Sequence, residues 1–503
     1  MDNGCESALN KTGWGACHYF LVGLCGVCTF VEAIASLIVL VVARLLVCDL
    51  KLGKNDIVIF NATQSFGMAF GSFFFGSLAD LYGRKETISI TMVLIFCSSI
   101  AISFAQTIFL INLFIFLLGL GLAGNYIIVR VYLIECLPTK RREVCLAILD
   151  ILWVLGYLSA LGLSWSLVPS VIRMLYKKFR PSSWRVLAGI GGAPSLIMAC
   201  AVSLLPQTPR FLLYQQRQDE AVTVLRQIYA INNSKHIGTY PSTDLSTCVE
   251  PDEEIEETNS LFTMIYRYCV KTRERLQKIY QLPFRRTTIC SILISFLYFP
   301  GFVWLALWNA HLLQELGKGT IEKERGGNSM CNVNFSDMGE SLLLNCRQIN
   351  EQRFLFLLCI SFSYILGEIL LIMGIHVIRK KWLLILSALI GSIAILGLIF
   401  VVQYIMQIIF SAMFLATYAI NHTIINILIA ENYPTGLRGT IMGLTKILPH
   451  LAASMMKFVS KLSCIPSIIA ASGILISTAV IVIPIPDLTG APLQERSVNL
   501  DDA

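Results

Sequence analysis

The chain has 503 residues, of which 55% are hydrophobic and only 14% charged, with a mean hydropathy of +0.69 and a net charge of +7. Soluble domains carry roughly 25% charged residues, so this composition excludes a water-soluble globular protein. The basic residues stand in short clusters between apolar runs, at Arg84-Lys85, Lys140-Arg142 and Arg379-Lys381, which excludes a nucleic-acid-binding surface.

Apolar stretches of about 18 or more residues can each cross a hydrocarbon core of about 30 Å, and a backbone inside it must be helical. The first, from about Cys17 to Val47, is too long for a cleavable signal peptide and reads as a span that directs insertion. Spans are predicted at 18–43, 56–79, 88–107, 109–134, 144–168 and 187–206. A polar stretch over 207–286 follows, mixing short surface helices with an acidic run from Glu250 to Glu257. Six more spans are predicted at 287–311, 353–376, 382–401, 404–430, 441–460 and 465–485. The domains expected are an N-terminal six-helix bundle over 1–206, a cytoplasmic linker over 207–286, a C-terminal bundle over 287–485 and a cytoplasmic tail over 486–503.

With the N-terminus in the cytoplasm, the basic clusters all fall on the cytoplasmic side, as the positive-inside rule requires. The 312–351 connection then lies outside, with Asn334-Phe-Ser336 as an N-glycosylation acceptor and Cys331 and Cys346 free to form a disulfide. Cys25-Gly-Val-Cys28 lies mid-span with no partner pair and is read as packing rather than a metal site. No ATP-binding loop is present, so no nucleotide is expected, and no nucleophile, metal or carboxylate-dyad pattern points to an enzyme.

One phrase occurs twice. Glu135-Cys-Leu-Pro-Thr-Lys-Arg-Arg142 and Glu431-Asn-Tyr-Pro-Thr-Gly-Leu-Arg438 share E-x-x-P-T-x-x-R, 296 residues apart, which implies two similar halves. Between the second and third spans stands Gly76-Ser-Leu-Ala-Asp80-Leu-Tyr-Gly83-Arg84-Lys85. Taken together, these resemble the major facilitator superfamily, with its loop signature G-x-x-x-D-x-x-G-R-[RK]. The resemblance implies an all-α membrane protein of twelve transmembrane helices in two pseudo-symmetric six-helix bundles. Basic clusters alone can be topogenic, but acids add little to topology. Gly76, Asp80, Gly83, Arg84, Lys85, Glu135, Arg142, Glu431 and Arg438 are therefore read as a cytoplasmic gate, in which partly exposed pairs of modest strength form and break.

Within that superfamily the chain resembles the synaptic-vesicle-glycoprotein-2-like and organic-ion-transporter-like branch. Val31-Glu32, Trp153-Val-Leu-Gly156, Ser183-Trp-Arg185 and Pro206-Gln-Thr-Pro-Arg-Phe-Leu-Leu213 carry the likeness. The chain departs from it at Ile115, where many members carry an arginine linked to proton coupling, at Gln207 in place of a glutamate, and at His376-Val-Ile-Arg-Lys-Lys381, a worn copy of the loop signature. These departures count against proton coupling and ordinary sugar transport.

Charged and polar groups within spans are expensive and mark functional positions. They are Glu32, Arg130, Asp150, Glu368, Asn421, His422, Asn426, Lys446, His450 and Lys457. Arg130 has two readings, an internal pair with Glu135 or a role toward solute. The resemblance places Glu32, Trp153, Trp308 and His450 on cavity-lining positions, with His422 and Asn426 replacing a tryptophan and an acid. Asp150 and Lys446 share helix faces with Trp153 and His450 respectively. The substrate-binding set is thus Glu32, Asp150, Trp153, Trp308, His422, Asn426, Lys446 and His450, suited to a charged or amphipathic organic solute. The function expected is secondary transport by alternating access, in the plasma or a vesicle membrane, with the small solute, the lipid bilayer and a coupling ion as partners and without a cofactor. The alternative is a non-transporting binding or trafficking protein on the same fold.

Overall fold

The computed structural model describes residues 4–50, 54–174, 183–241, 261–298, 351–401, 404–454, 464–488 and 493. Trp308, Cys331, Asn334, Cys346 and Lys457, and the Glu250–Glu257 acidic run, lie outside these residues. Among those described there is no β-strand.

The helices are α1 (Gly4–Lys11), α2 (Ala16–Leu50), α3 (Lys54–Tyr82), α4 (Arg84–Phe104), α5 (Ile108–Cys136), α6 (Arg142–Met174) and α7 (Ser183–Ser203). Then come α8 (Pro209–Tyr214), α9 (Gln218–Asn233), α10 (Leu261–Tyr280) and α11 over 284–298. The last five are α12 (Glu351–Gly374), α13 (Lys380–Phe400), α14 (Tyr404–Glu431), α15 (Thr435–Ser454) and α16 (Cys464–Ile481). The described parts of α2–α7 and α11–α16 overlap the predicted spans, and α8–α10 fall within the linker.

Seven of the described helices are long and apolar enough to cross a membrane by length and composition alone: the spans in α2, α4, α5, α6, α7, α13 and α14. Of the other helices at span positions, α11, α12 and α16 are described over shorter apolar stretches, and α3 and α15 fall short in hydropathy over their described residues. Both carry serines, threonines and charged groups, and they make the most extensive helix–helix contact in the fold. Their polar composition belongs to a surface that meets protein rather than lipid.

Two hydrophobic cores follow the two halves. One is drawn from α2–α7, with Ile95, Leu122, Leu149 and Trp184 at its centre. The other is drawn from α11–α16, with Ile395, Phe414, Ile424 and Tyr433, and it also takes in Ile127, Val131 and Val154 of α5 and α6. A third, small core joins α1 to α8 and α9 through Cys5, Leu9, Leu212, Leu225 and Ile228, forming a cap at what is here called the linker face.

At this face α3 turns into α4 through Gly83, whose φ of +113° is one that residues with a side chain rarely adopt. The turn carries Asp80 and Arg84 back toward the seam between the halves.

Candidate functional site

The seam at the linker face is built on glycine. An added Cβ on Gly76 would meet Gly439 O at 2.4 Å, and one on Gly443 would meet Ser72 O at 2.3 Å, so α3 and α15 touch backbone to backbone. Ser72 Oγ donates to Gly443 O at 3.1 Å across the same seam.

Charges close its rim. The Asp80 carboxylate accepts from the Gly439 and Thr440 amides (3.1 and 2.7 Å) and from the Thr440 hydroxyl (2.9 Å), all on α15. Arg84 donates to Asp80 (3.1 Å), to Glu135 (3.0 Å) and to the Thr435 carbonyl (2.6 Å). Arg438, the arginine of the second E-x-x-P-T-x-x-R, donates to Glu135, the glutamate of the first, at 2.8 Å. The doubled phrase therefore pairs with itself between the halves. Thr208, the N-cap of α8, donates its hydroxyl to the other Glu135 oxygen at 2.7 Å, and Arg275 of α10 binds the Ser77 and Asp80 carbonyls.

Three expectations about this gate need correction. The pairs are not partly exposed: Asp80, Arg84, Glu135 and Arg438 are all essentially inaccessible, because α8 and the glycine seam cover them. Arg142 pairs with neither Glu135 nor Glu431; it donates to both Glu6 oxygens at 2.8 Å, because α1 folds back over the start of α6. Glu431 pairs instead with Lys380 at 2.6 Å, and Lys380 also reaches Glu143 of the first half at 3.0 Å. The worn second loop thus keeps a working cation. The Lys85 side chain stands outside this network and lines a cavity of about 660 Å³ between α3, α8 and α10.

Glu6 also pairs with Arg210 and accepts from Thr139. Burial opposes its charge, yet Arg210 and Arg142 outweigh that and hold its pKa at about 2, against 4.5 when free. A depressed carboxyl stabilises fully above its unfolded pKa and loses that contribution as pH falls through the folded one. The docking of α1 is therefore expected to weaken between pH 4.5 and about 2. By linkage the loss is about 3 kcal/mol. Hydrogen exchange in α1 should show that acid response, and Glu6→Gln should remove it.

Midway through the helices a second polar cluster lies between the halves. Arg130 (α5) pairs with Asp150 (α6), donates to the Tyr126 carbonyl at 2.8 Å and stacks over the Tyr126 ring at 3.6 Å. This replaces the expected Arg130–Glu135 pair, since Glu135 lies at the linker face and is already held by two arginines. Asn426 (α14) donates to the Tyr126 hydroxyl at 3.0 Å, which leaves the Tyr126 proton for His422 Nε2 at 2.7 Å. His422 Nδ1 then donates to the Tyr364 hydroxyl at 3.1 Å, and the imidazole stacks on Tyr418. Glu32 (α2) accepts from Asn125 at 2.9 Å. Lys446 (α15) sits 5.8 Å from the Tyr126 ring centre, with His450 one turn beyond it. Trp153 stacks on Tyr157 and packs against the second-half core.

Asp150, His422, Asn426 and Lys446 are thus gathered around one residue, Tyr126, which sequence reasoning missed. Tyr364 and Tyr418 were missed as well, because tyrosine in an apolar helix reads as core or interfacial packing. The available signal was helical spacing, since Tyr126 and Tyr418 stand one turn before Arg130 and His422. Glu32 and Trp153 lie on the first-half side of the cluster. Among the described residues, the aromatic faces here are those of Tyr126, Tyr364 and Tyr418, with Trp153 beside them and Trp308 outside the described residues.

Two helical halves that meet on buried polar groups, sealed on one face by glycine and ion pairs, define a membrane protein of the major facilitator fold. The chain belongs to the sugar (and other) transporter family, whose model matches residues 50–318, a family of transporters rather than enzymes. It is 25% identical to synaptic vesicle glycoprotein 2B of Homo sapiens over 319 residues, 60% of this chain and 46% of that protein. The chain therefore spans about half the length of this relative. The fold is that of the proton:xylose symporter XylE bound to 6-bromo-6-deoxy-D-glucose, with a TM-score of 0.65 at 13% identity over 95% of this chain and 97% of that one. Against inward-open XylE from E. coli the score is 0.56 at 14% identity, over 95% and 98% of the two chains.

Proposed function

We propose that this chain moves a small charged or amphipathic organic solute across a membrane by alternating access, with the linker face toward the cytoplasm. The observation that carries the reading is the buried polar cluster centred on Tyr126, which draws residues from both halves and lies behind a closed seam. Neither half encloses it alone, so a rocking motion of one half against the other opens it to one side or the other. Asp150 and Glu32 supply acidic groups, Arg130 and Lys446 basic ones, and Tyr126, Tyr364 and Tyr418 supply ring faces, a lining suited to a solute with a charged end and an apolar body.

In this reading residues 1–206 and 287–485 are the two bundles, 207–286 is the cytoplasmic linker, and both termini are cytoplasmic. The host membrane is the plasma membrane or a vesicle membrane, the latter in keeping with the name of the similar vesicle glycoprotein. The proposed solute-binding residues are Glu32, Asp150, Trp153, His422, Asn426, Lys446 and His450, with Trp308 added from the sequence.

Purified protein in proteoliposomes should show saturable uptake of one member of a panel of cationic, anionic and sugar-like solutes. Glu32→Gln preserves the hydrogen bond to Asn125 but removes the charge, and His450→Ala removes the imidazole one turn beyond Lys446. Each should lower flux about tenfold or more, the effect of losing one charge-assisted contact. Unchanged flux in the folded double variant would remove this site assignment.

A further inference from the structure

The fold holds a buried carboxyl that the solute site described above does not employ. Glu368 of α12 is completely buried. Its Oε1 lies 2.8 Å from the hydroxyl oxygen of Thr423 on α14, and that same oxygen lies 2.6 Å from Oδ2 of Asp150 on α6, in the other half. A hydroxyl owns a single proton and can donate to one carboxylate only. If both carboxyls were ionised, one contact would set lone pair against lone pair in a water-free interior. One of the two acids therefore carries a proton of its own. Arg130 decides which, because it pairs with Oδ1 of Asp150 and so keeps that carboxyl ionised. Thr423 donates to Asp150, and Glu368, as a carboxylic acid, donates to Thr423. The second Glu368 oxygen is buried without a hydrogen-bond partner, far less costly for the carbonyl of an acid than for a carboxylate.

We propose that Glu368 is a proton-binding site whose proton completes a bridge, Glu368–Thr423–Asp150, between the two halves. Among the described residues, the titratable and charged groups around it are Glu32 on α2, Arg130 and Tyr126 on α5, Asp150 on α6, Tyr298 on α11, Tyr364 on α12, Tyr418 and His422 on α14, and Lys446 on α15. With Glu368 neutral, the Asp150 carboxylate is left paired with Arg130. When the proton leaves Glu368 for solvent, Thr423 turns its O–H toward the new carboxylate. Asp150 Oδ2 then faces the lone pairs of Thr423. The hydrogen bond that breaks joins α6 to α14, across the halves, while the bond between α12 and α14 stays within one half. Loss of one proton therefore loosens the closed form, and closing it takes a proton up. This makes the proton the coupling ion of the proposed transport, through a site other than the fourth-span position where Ile115 stands; it relies on that reading for its purpose, while the bridge itself is testable without any solute.

The test uses the full chain in proteoliposomes, spin-labelled at Leu204 and Val377, two highly exposed positions at the linker face in opposite halves. Introduced p-acetylphenylalanine carries the labels, so the 16 native cysteines are untouched. In the wild type the long-distance population should grow at least about tenfold from about pH 5 to about pH 9, a tenfold change being a single titration's worth per pH unit. Glu368→Gln keeps a donor toward Thr423 and should hold the short distance at every pH. Thr423→Val should populate the long distance even in acid, and Thr423→Ser should restore the wild-type response. A wild type blind to pH, or a Glu368→Gln variant with the full wild-type response, overturns the proposal; the second result would point to Glu32 or Lys446 instead. Should Glu368→Gln not fold, the Thr423 pair decides, and identical behaviour of Val and Ser overturns the proposal. A pH response without flux of any solute would sink the transport reading and leave the proton site standing.

Discussion

Glu135→Ala is expected to open the linker face. Glu135 is the one carboxylate shared by Arg84 and Arg438, so its removal leaves Arg438 buried without a counter-charge and Arg84 with Asp80 alone. Breaking a buried pair by deleting one partner costs about 3–5 kcal/mol, enough to shift a two-state population by about a hundredfold or more. Separation of the halves returns both arginines to water and relieves that cost, so the shift favours the open form. Distance measurements between labels at Leu204 and Val377 should move to the long population, and Glu135→Gln should move less because it still accepts hydrogen bonds. Retention of the short distance in the folded Ala variant would show that the glycine seam alone holds the face closed.

Gly439→Ala should have nearly as large an effect by a different route. The new methyl would lie 2.5 Å from the Gly76 carbonyl and 2.8 Å from an Asp80 oxygen. Backbone cannot swing aside as a side chain can, so α3 and α15 must part. Overpacking of this kind costs about 1–3 kcal/mol, and the separation also stretches the Asp80 bonds to Gly439 and Thr440. The expected outcome is a lower melting temperature in detergent together with the long label distance. An Ala variant that keeps both the wild-type melting temperature and the short distance would mean that the seam is looser than the backbone contact implies.

Much of this was legible in the sequence. The spans stand out because a helix in lipid has to be apolar around most of its circumference, and the gate residues stand out because acids at a membrane surface have no topogenic excuse. What was not legible was who pairs with whom. Arg142 and Arg438 occupy equivalent places in the doubled phrase, yet one meets Glu6 and the other Glu135, a difference set by α1, whose docking leaves no periodic mark. Lys380 was visible only as charge left over from a worn motif; its partners Glu431 and Glu143 lie 51 and 237 residues away in the chain. In the central cluster, Asp150, His422 and Lys446 were found because charge in an apolar helix is conspicuous. Tyr126, Tyr364 and Thr423 were not, because each is ordinary in such a helix until a hydrogen bond to another helix gives it a role.

The polar seam also bears on how the chain enters a membrane. Most spans can partition into lipid one at a time as they are made, because their own side chains supply the driving force. The fifteenth helix cannot, with Arg438, Lys446 and His450 along a segment of 20 residues. The surface that matches it is the third helix, synthesised more than 350 residues earlier and kept short of ordinary hydrophobicity by the same polar seam. The second half is therefore expected to insert with the first as a template, so that joining the halves accompanies insertion rather than following it.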